Sequence, residues 1–261
     1  ELPSATALIG RLPQFAFDPE AVSMRMAGGD AAEAARIRGE WKKSQEAGTA
    51  LHKTLEQSLL GEDKAAPDGV RRIASRLRER GTVLTETTLW SKKGYAGIAD
   101  AVVLRPDGSV EIYDLKTMES ENNPHDPGSH YRSDRFGESK AERHRLQMRL
   151  YASMVEEAGF RVSGTYIIPF DRGTSLPMVS DDGLTAVDAG PTDKTEVYFR
   201  QLLGMLGDEA VIRNAAGKAP MSVKGKAPPV DGRAKRMAEN VRRGRFLESA
   251  AHAGVGAADA A

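Results

Sequence analysis

The chain has no cysteine among its 261 residues. That excludes disulfides, thiolate zinc sites, iron–sulfur clusters and a cysteine nucleophile, and it fits a cytoplasmic protein. No apolar run approaches the ~18–20 residues of a membrane span, so no membrane partner is expected. No charged-then-apolar leader opens the chain. An excess of charge of either sign is also missing, because Lys+Arg and Asp+Glu both number 37. A uniformly basic nucleic-acid binder is therefore excluded, whereas a local basic surface is not. Hydrophobic residues make up 40% and charged residues 28%, which supplies a core and rules out a coiled-coil, collagen-like or disordered chain. No internal repeat is visible.

Three stretches follow from the patterning: an irregular, partly helical segment over 1–40, a main domain over 41–206, and a basic appendage over 207–261 that is partly disordered at its tip. Ser4 is placed to cap a first turn through Leu8 and Ile9, and the Ala-rich residues 30–39 read as a short helix. Residues 41–60 carry Leu51, Leu55 and Leu59 on one stripe, with Gly61 as a stop. Residues 68–80 repeat the pattern with Val70, Ile73 and Leu77. Residues 82–90, 97–104, 109–115 and 164–170 read as strands, 138–158 and 193–206 as helices. Residues 118–137 form a long polar loop of the kind that often carries function.

The chemistry lies at one hairpin. Arg105-Pro106-Asp107-Gly108 combines a Pro that presets a turn with a Gly for the left-handed position after it, giving a three-residue loop with a bulge. Counting outward pairs Leu104 with Val110, Val102 with Ile112, and Asp100 with Asp114. Directly opposed residues share a face, with β-carbons about 4.5–5.5 Å apart. Two carboxylates facing each other in a half-buried sheet need a reason, and a divalent cation is the simplest. Lys116, two residues beyond Asp114, points to the same face. Hard oxygen ligands suit Mg²⁺ or Mn²⁺, which polarises a phosphoryl oxygen and acidifies a bound water. A lysine beside that water takes its proton if desolvation lowers the lysine's own pKa. Together these describe a phosphodiester-hydrolysing site. The plain alternative is that Asp114-Leu115-Lys116 is a chance triplet and Asp100 a strand-edge residue.

Two outlying pieces extend it. His52, on the 41–60 helix with Gly48 one turn before it, offers a neutral imidazole as a third ligand; taken alone it also reads as structural. Gln147 and Tyr151 share a face of the 138–158 helix, where a solvated Gln and a core Tyr are the plain readings.

In order, these pieces are Gly48/His52 (G-x-x-x-H), Glu86 on a strand, Gly97/Asp100 (G-x-x-D), Asp114-Leu115-Lys116 (D-x-K) and Gln147/Tyr151 (Q-x-x-x-Y). That order resembles the RecB-type branch of the PD-(D/E)xK nuclease superfamily, over residues 41–170. The resemblance implies an α/β fold, the nuclease core with a mixed central β-sheet flanked by helices. It implies that His52, Asp100, Asp114 and the backbone carbonyl of Leu115 bind Mg²⁺ or Mn²⁺. Lys116 would activate the attacking water, Gln147 and Tyr151 would orient substrate, and Glu86 would be a supporting acidic residue. The size is similar to stand-alone phage or recombination-linked exonucleases of the lambda-exonuclease and exonuclease-VIII type, or mitochondrial genome-maintenance exonucleases, and unlike a large helicase–nuclease. Two departures are Ala99-Asp100 in place of Pro-Asp and an Asp at the second acidic position.

The expected activity is thus metal-dependent DNA exonuclease, in phage or recombination and repair processing. A homo-oligomer, or a single-strand annealing or recombination partner, fits that setting. Tyr131, Arg132, Arg135 and Arg143 are candidate DNA contacts, Tyr131 by stacking on an unpaired base and the arginines on phosphates. The basic appendage is a further DNA contact or a partner-binding arm. Competing readings are a DNA endonuclease of the same fold, a catalytically silent DNA-binding protein, and an unrelated metal hydrolase of small phosphoesters.

Overall fold

The computed structural model describes residues 2–61, 66–118, 135–171 and 186–209. Six helices and five strands, α1 (Ala5–Ile9), α2 (Pro19–Met26), α3 (Ala31–Leu60), α4 (Asp68–Arg80), β1 (Thr82–Ser91), β2 (Tyr95–Leu104), β3 (Val110–Met118), α5 (Arg135–Glu157), β4 (Val162–Asp171), β5 (Val187–Asp188) and α6 (Asp193–Glu209), follow in chain order. The strands form one mixed sheet in the order β1-β2-β3-β4-β5. β1, β2 and β3 pair antiparallel, β3 and β4 parallel, β4 and β5 antiparallel. A parallel pair needs a long crossover, and α5 lies within it. The fold is the α/β arrangement expected, a mixed sheet with helices on both faces.

Each face buries its own cluster. Val70, Ile73 and Leu77 of α4 interlock with Leu51, Leu55 and Leu59 of α3 against Val103, Tyr113 and Leu115 of the sheet. On the other face α5 places Leu146, Leu150 and Val155 against Val102 and Ile112. Leu8, Ile9 and Phe15 from the first residues enter this second cluster, with Leu202 and Leu206 of α6. Ser4 caps α1 as expected, its Oγ accepting from the Ala7 N–H at 3.1 Å.

One expectation changes here. The helix through His52 does not begin near residue 41 but at Ala31, where the Asp30 carboxylate accepts from the N–H groups of Ala32 and Glu33. Residues 31–40 join it because Ala34 and Ile37 continue a narrow buried stripe and Gly39 faces open space, where a missing side chain costs only propensity. α3 ends at Gly61, whose φ of +76° is the left-handed conformation that closes a helix. Strand β3 also runs further than expected, through Met118, so Lys116 lies on regular strand.

The Pro-Asp-Gly hairpin has the register counted from its turn. Arg105 N–H donates to the Ser109 carbonyl at 2.8 Å, Gly108 has φ +79°, and Leu104 pairs with Val110 and Val102 with Ile112. The ladder continues to Ala101 opposite Tyr113, which places Asp100 and Asp114 at its far end. Among the described residues no helix is long and apolar enough to cross a membrane.

Candidate active site

Beyond Ala101 and Tyr113 no further β2–β3 pair forms, and the site fills the fork. Asp100 turns across the gap, and its Oδ2 accepts from the Leu115 N–H at 2.5 Å. The carboxylate thus replaces the missing ladder partner of β3. Its other oxygen, Oδ1, lies 3.0 Å from Nδ1 of His52, which α3 brings in from the opposite face of the sheet.

Glu86 completes this group. Thr85 pairs with Ala101 and Thr87 with Ala99, so Glu86 stands opposite Asp100 at the one interruption of the β1–β2 ladder. Its φ is +45°, the only left-handed non-glycine backbone among the described residues. A bulky residue held there carries a local cost, and such positions concentrate at functional sites. One ligand atom each from His52, Glu86 and Asp100 lie within 4.8 Å of one another.

Asp114 has its own set of partners. It is buried, at 2% exposure, and lies outside that 4.8 Å group. Its Oδ2 is 2.5 Å from Nζ of Lys116, on the same strand face, and its Oδ1 accepts from Nε2 of Gln147 at 3.2 Å. The same Gln147 nitrogen donates to the Tyr151 hydroxyl at 2.8 Å. The two opposed aspartates therefore divide: Asp100 joins a donor cluster, and Asp114 anchors the ammonium.

The electrostatics follow from crowding of negative charge. Burial, and then the Asp100 and Glu56 carboxylates, push Glu86 above the ordinary carboxylate range. Asp114 rises for the same reasons, burial first and Asp100 with it, against the pull of Lys116. Burial works against the His52 imidazolium, but the Asp100 hydrogen bond and charge outweigh it and raise the histidine. Lys116 is likewise opposed by burial and carried upward by Asp114 and Asp100. Burial favours the neutral amine, and the two carboxylates outweigh it. A cluster that pulls protons onto carboxylates and imidazole alike suits a divalent cation.

The two motif glycines have steric reasons. A Cβ on Gly48 would stand 3.1 Å from Thr117 Oγ1, so the glycine lets α3 approach β3 one turn from His52. A Cβ on Gly97 would stand 2.4 Å from Cε1 of Tyr151. Of the candidate DNA contacts, Arg143 lies half-buried on α5, one turn before Gln147. Tyr131 and Arg132 lie outside the described residues, as does the side chain of Arg135, and so does the appendage from residue 210 onward.

The sequence marks Glu86 only as a supporting acidic residue, yet the signal for its place opposite Asp100 is present. Ser91 pairs with Tyr95 across Lys92-Lys93-Gly94, with Gly94 at φ +90°. Counting back from that turn sets Glu86 opposite Asp100.

A family model described as the PD-(D/E)XK nuclease superfamily matches residues 25–222. Among curated proteins no match is found. Among solved structures, one described as the crystal structure of SSO0001 aligns with 69% of this chain and 71% of its own, at 14% identity and a TM-score of 0.28.

Proposed function

The chain belongs to the PD-(D/E)XK nuclease superfamily, a family of divalent-metal nucleases, and from that premise we propose that it is a DNA exonuclease that needs Mg²⁺ or Mn²⁺. The observation that carries the proposal is the donor cluster of His52, Glu86 and Asp100 beside the buried Asp114–Lys116 pair. His52, Glu86 and Asp100 would hold the cation, with Asp114 adjoining. A strand residue sends its N–H and C=O to the same side, so the Leu115 carbonyl also leaves β3 toward Asp100. When bound, the metal supplies polarisation of a phosphoryl oxygen and a more acidic water.

The protein's own groups do the rest. Lys116, held by Asp114, donates an N–H hydrogen bond to the oxygen of the attacking water and fixes its approach, while the proton that the water loses on attack passes to solvent. Gln147 ties one Asp114 oxygen and the Tyr151 hydroxyl to a single amide nitrogen, and so sets the carboxylate's rotation. Both side chains are buried, which suits positioning through Asp114 better than direct substrate contact. Glu86 moves from supporting residue to ligand.

Exonuclease action, the RecB-type branch and a phage or recombination setting are supported by the order of the five motifs. The same likeness supports a cytoplasmic location and a homo-oligomer or annealing partner. Residues 207–261 then serve as a basic arm for DNA or for that partner. The test is end-labelled linear DNA against closed circular DNA, with and without Mg²⁺. Nucleotide release from linear DNA alone, lost in Asp114→Ala, is expected. Cutting of the circle assigns an endonuclease, and undiminished cleavage by the variant removes the nuclease assignment.

A further inference from the structure

Arg143 stands apart from the other partly buried arginines. Two residues on, Arg145 is paired with Glu142 at 3.2 Å; Arg149 is paired with Glu196 at 2.7 Å; Arg80 and Arg105 share Glu111. Arg143 is half-buried and forms neither an ion pair nor a hydrogen bond with any described residue. Burial pushes its guanidinium below the ordinary arginine value. A desolvated cation without a counter-charge is costly, and native structures keep one only where something offsets it.

Its position says what that is. Arg143, Gln147 and Tyr151 are spaced i, i+4, i+8 on α5 and share one face. That face meets Asp114 through Gln147. Arg143 is close enough for its charge to oppose the Lys116 ammonium. Of these two cations, Lys116 is spent on Asp114, whereas Arg143 has no counter-charge among the described residues. An anion seated between them would remove both the repulsion and the unpaired charge. A phosphodiester carries one negative charge and two free oxygens, the acceptor pattern that a guanidinium fork matches.

We infer that Arg143 is a single-phosphate clamp: it grips one backbone phosphate of the DNA beside Lys116, and is neutralised only when DNA binds. The inference rests on the nuclease assignment for the identity of its anion. It makes Arg143 a specific contact, not part of a diffuse basic surface, and it predicts that the free protein is strained at this position.

The experiment uses the full chain with Ca²⁺ in place of Mg²⁺, intact DNA being verified by gel. Oligonucleotides carrying a neutral methylphosphonate at successive linkages are bound to wild type, Arg143→Gln and Arg143→Lys. For wild type, one linkage should lose affinity roughly tenfold on neutralisation, as expected for a charge-assisted contact. Arg143→Gln should bind unmodified DNA weaker by the same factor, show no further loss at that linkage, and lower the salt slope by about 0.7–0.9. Arg143→Lys should fall between. Without DNA, Arg143→Gln should melt no lower than wild type. Additive losses, unchanged binding by Arg143→Gln, or a lower melting point for that variant would each overturn the clamp. Cleavage lost in Asp114→Ala alongside any of these outcomes would leave the nuclease assignment standing.

Discussion

Gly97 on β2 and Tyr151 on α5 are in such close contact that any side chain on the glycine collides with the phenol ring, at 2.4 Å from Cε1. The glycine is needed for space, since its φ is not in the left-handed region. Gly97→Ala should therefore push Tyr151 and with it Gln147, which shares a hydrogen bond with the tyrosine, away from Asp114. Overpacking of this kind costs about 1–3 kcal/mol. Activity should fall more than stability does, and Tyr151→Leu in the same chain should recover part of the stability. Denaturant melts of the two single variants and the double variant check this; simple additivity would mean that the contact is slack.

Gln147 gives a second, sharper case. Its Nε2 is the only side-chain donor other than Lys116 that reaches Asp114 among the described residues. Gln147→Leu keeps the volume and removes the donor, which leaves one carboxylate oxygen free to rotate. Loss of such an orienting partner typically costs 10- to 100-fold. The expected result is a drop of that size in kcat on linear DNA with KM little changed. A rise in KM at constant kcat would instead assign Gln147 to substrate contact.

Where the sequence was readable, local chemistry was decisive. The Pro-Asp-Gly turn sets its own register, and α4 is legible because four buried apolar positions recur at helical spacing before Gly81. The start of α3 was missed because residues 31–40 bury little beyond Ala34 and Ile37, leaving a weak stripe. The site was legible as a set of residues and not as a geometry. Periodicity correctly placed Asp114 and Lys116 on one face of β3. It did not show that the β2–β3 ladder ends at Ala101, with Asp100 turned onto the Leu115 N–H, nor that a left-handed residue would stand opposite Asp100 at Glu86.

Stability away from the site depends on Glu111. This buried carboxylate accepts from Arg80, Arg105 and the Tyr113 hydroxyl, and so ties α4, the hairpin turn and β3 together. Glu111→Gln leaves two guanidinium groups without their charge partner. Breaking a buried pair costs about 3–5 kcal/mol, and the arginines' partial exposure puts the expected loss near the lower bound. The effect should appear in the denaturation midpoint, with Mn²⁺ affinity unchanged in the folded fraction. A coupled loss of metal affinity would show that this end of β3 communicates with the fork.

Metal binding and pH should be linked, with a sign set by the shifts at the site. Glu86 and Asp114 are raised by burial and by neighbouring carboxylates, and His52 is raised by Asp100 against its burial. A carboxylate raised in the folded state is destabilising once ionised, so its cost appears as pH climbs from the unfolded value through the folded one. A raised histidine contributes stability below its unfolded value and loses it as pH passes the folded value. Both act in the same direction: these groups should make the metal-free protein melt lower as pH rises, the carboxylates from about 4 upward and the histidine from about 6.5 upward. A cation competes with these protons and replaces the lost positive charge, so Mn²⁺ should stabilise more at pH 7.5 than at pH 5. At ~100 times Kd the added stability is about 2.7 kcal/mol, and chelation should reverse it. Melting curves with and without Mn²⁺ at the two pH values check this, and Asp100→Asn should flatten the difference. An Mn²⁺ effect equal at both pH values, or unchanged in that variant, would place the bound ion elsewhere than among His52, Glu86 and Asp100.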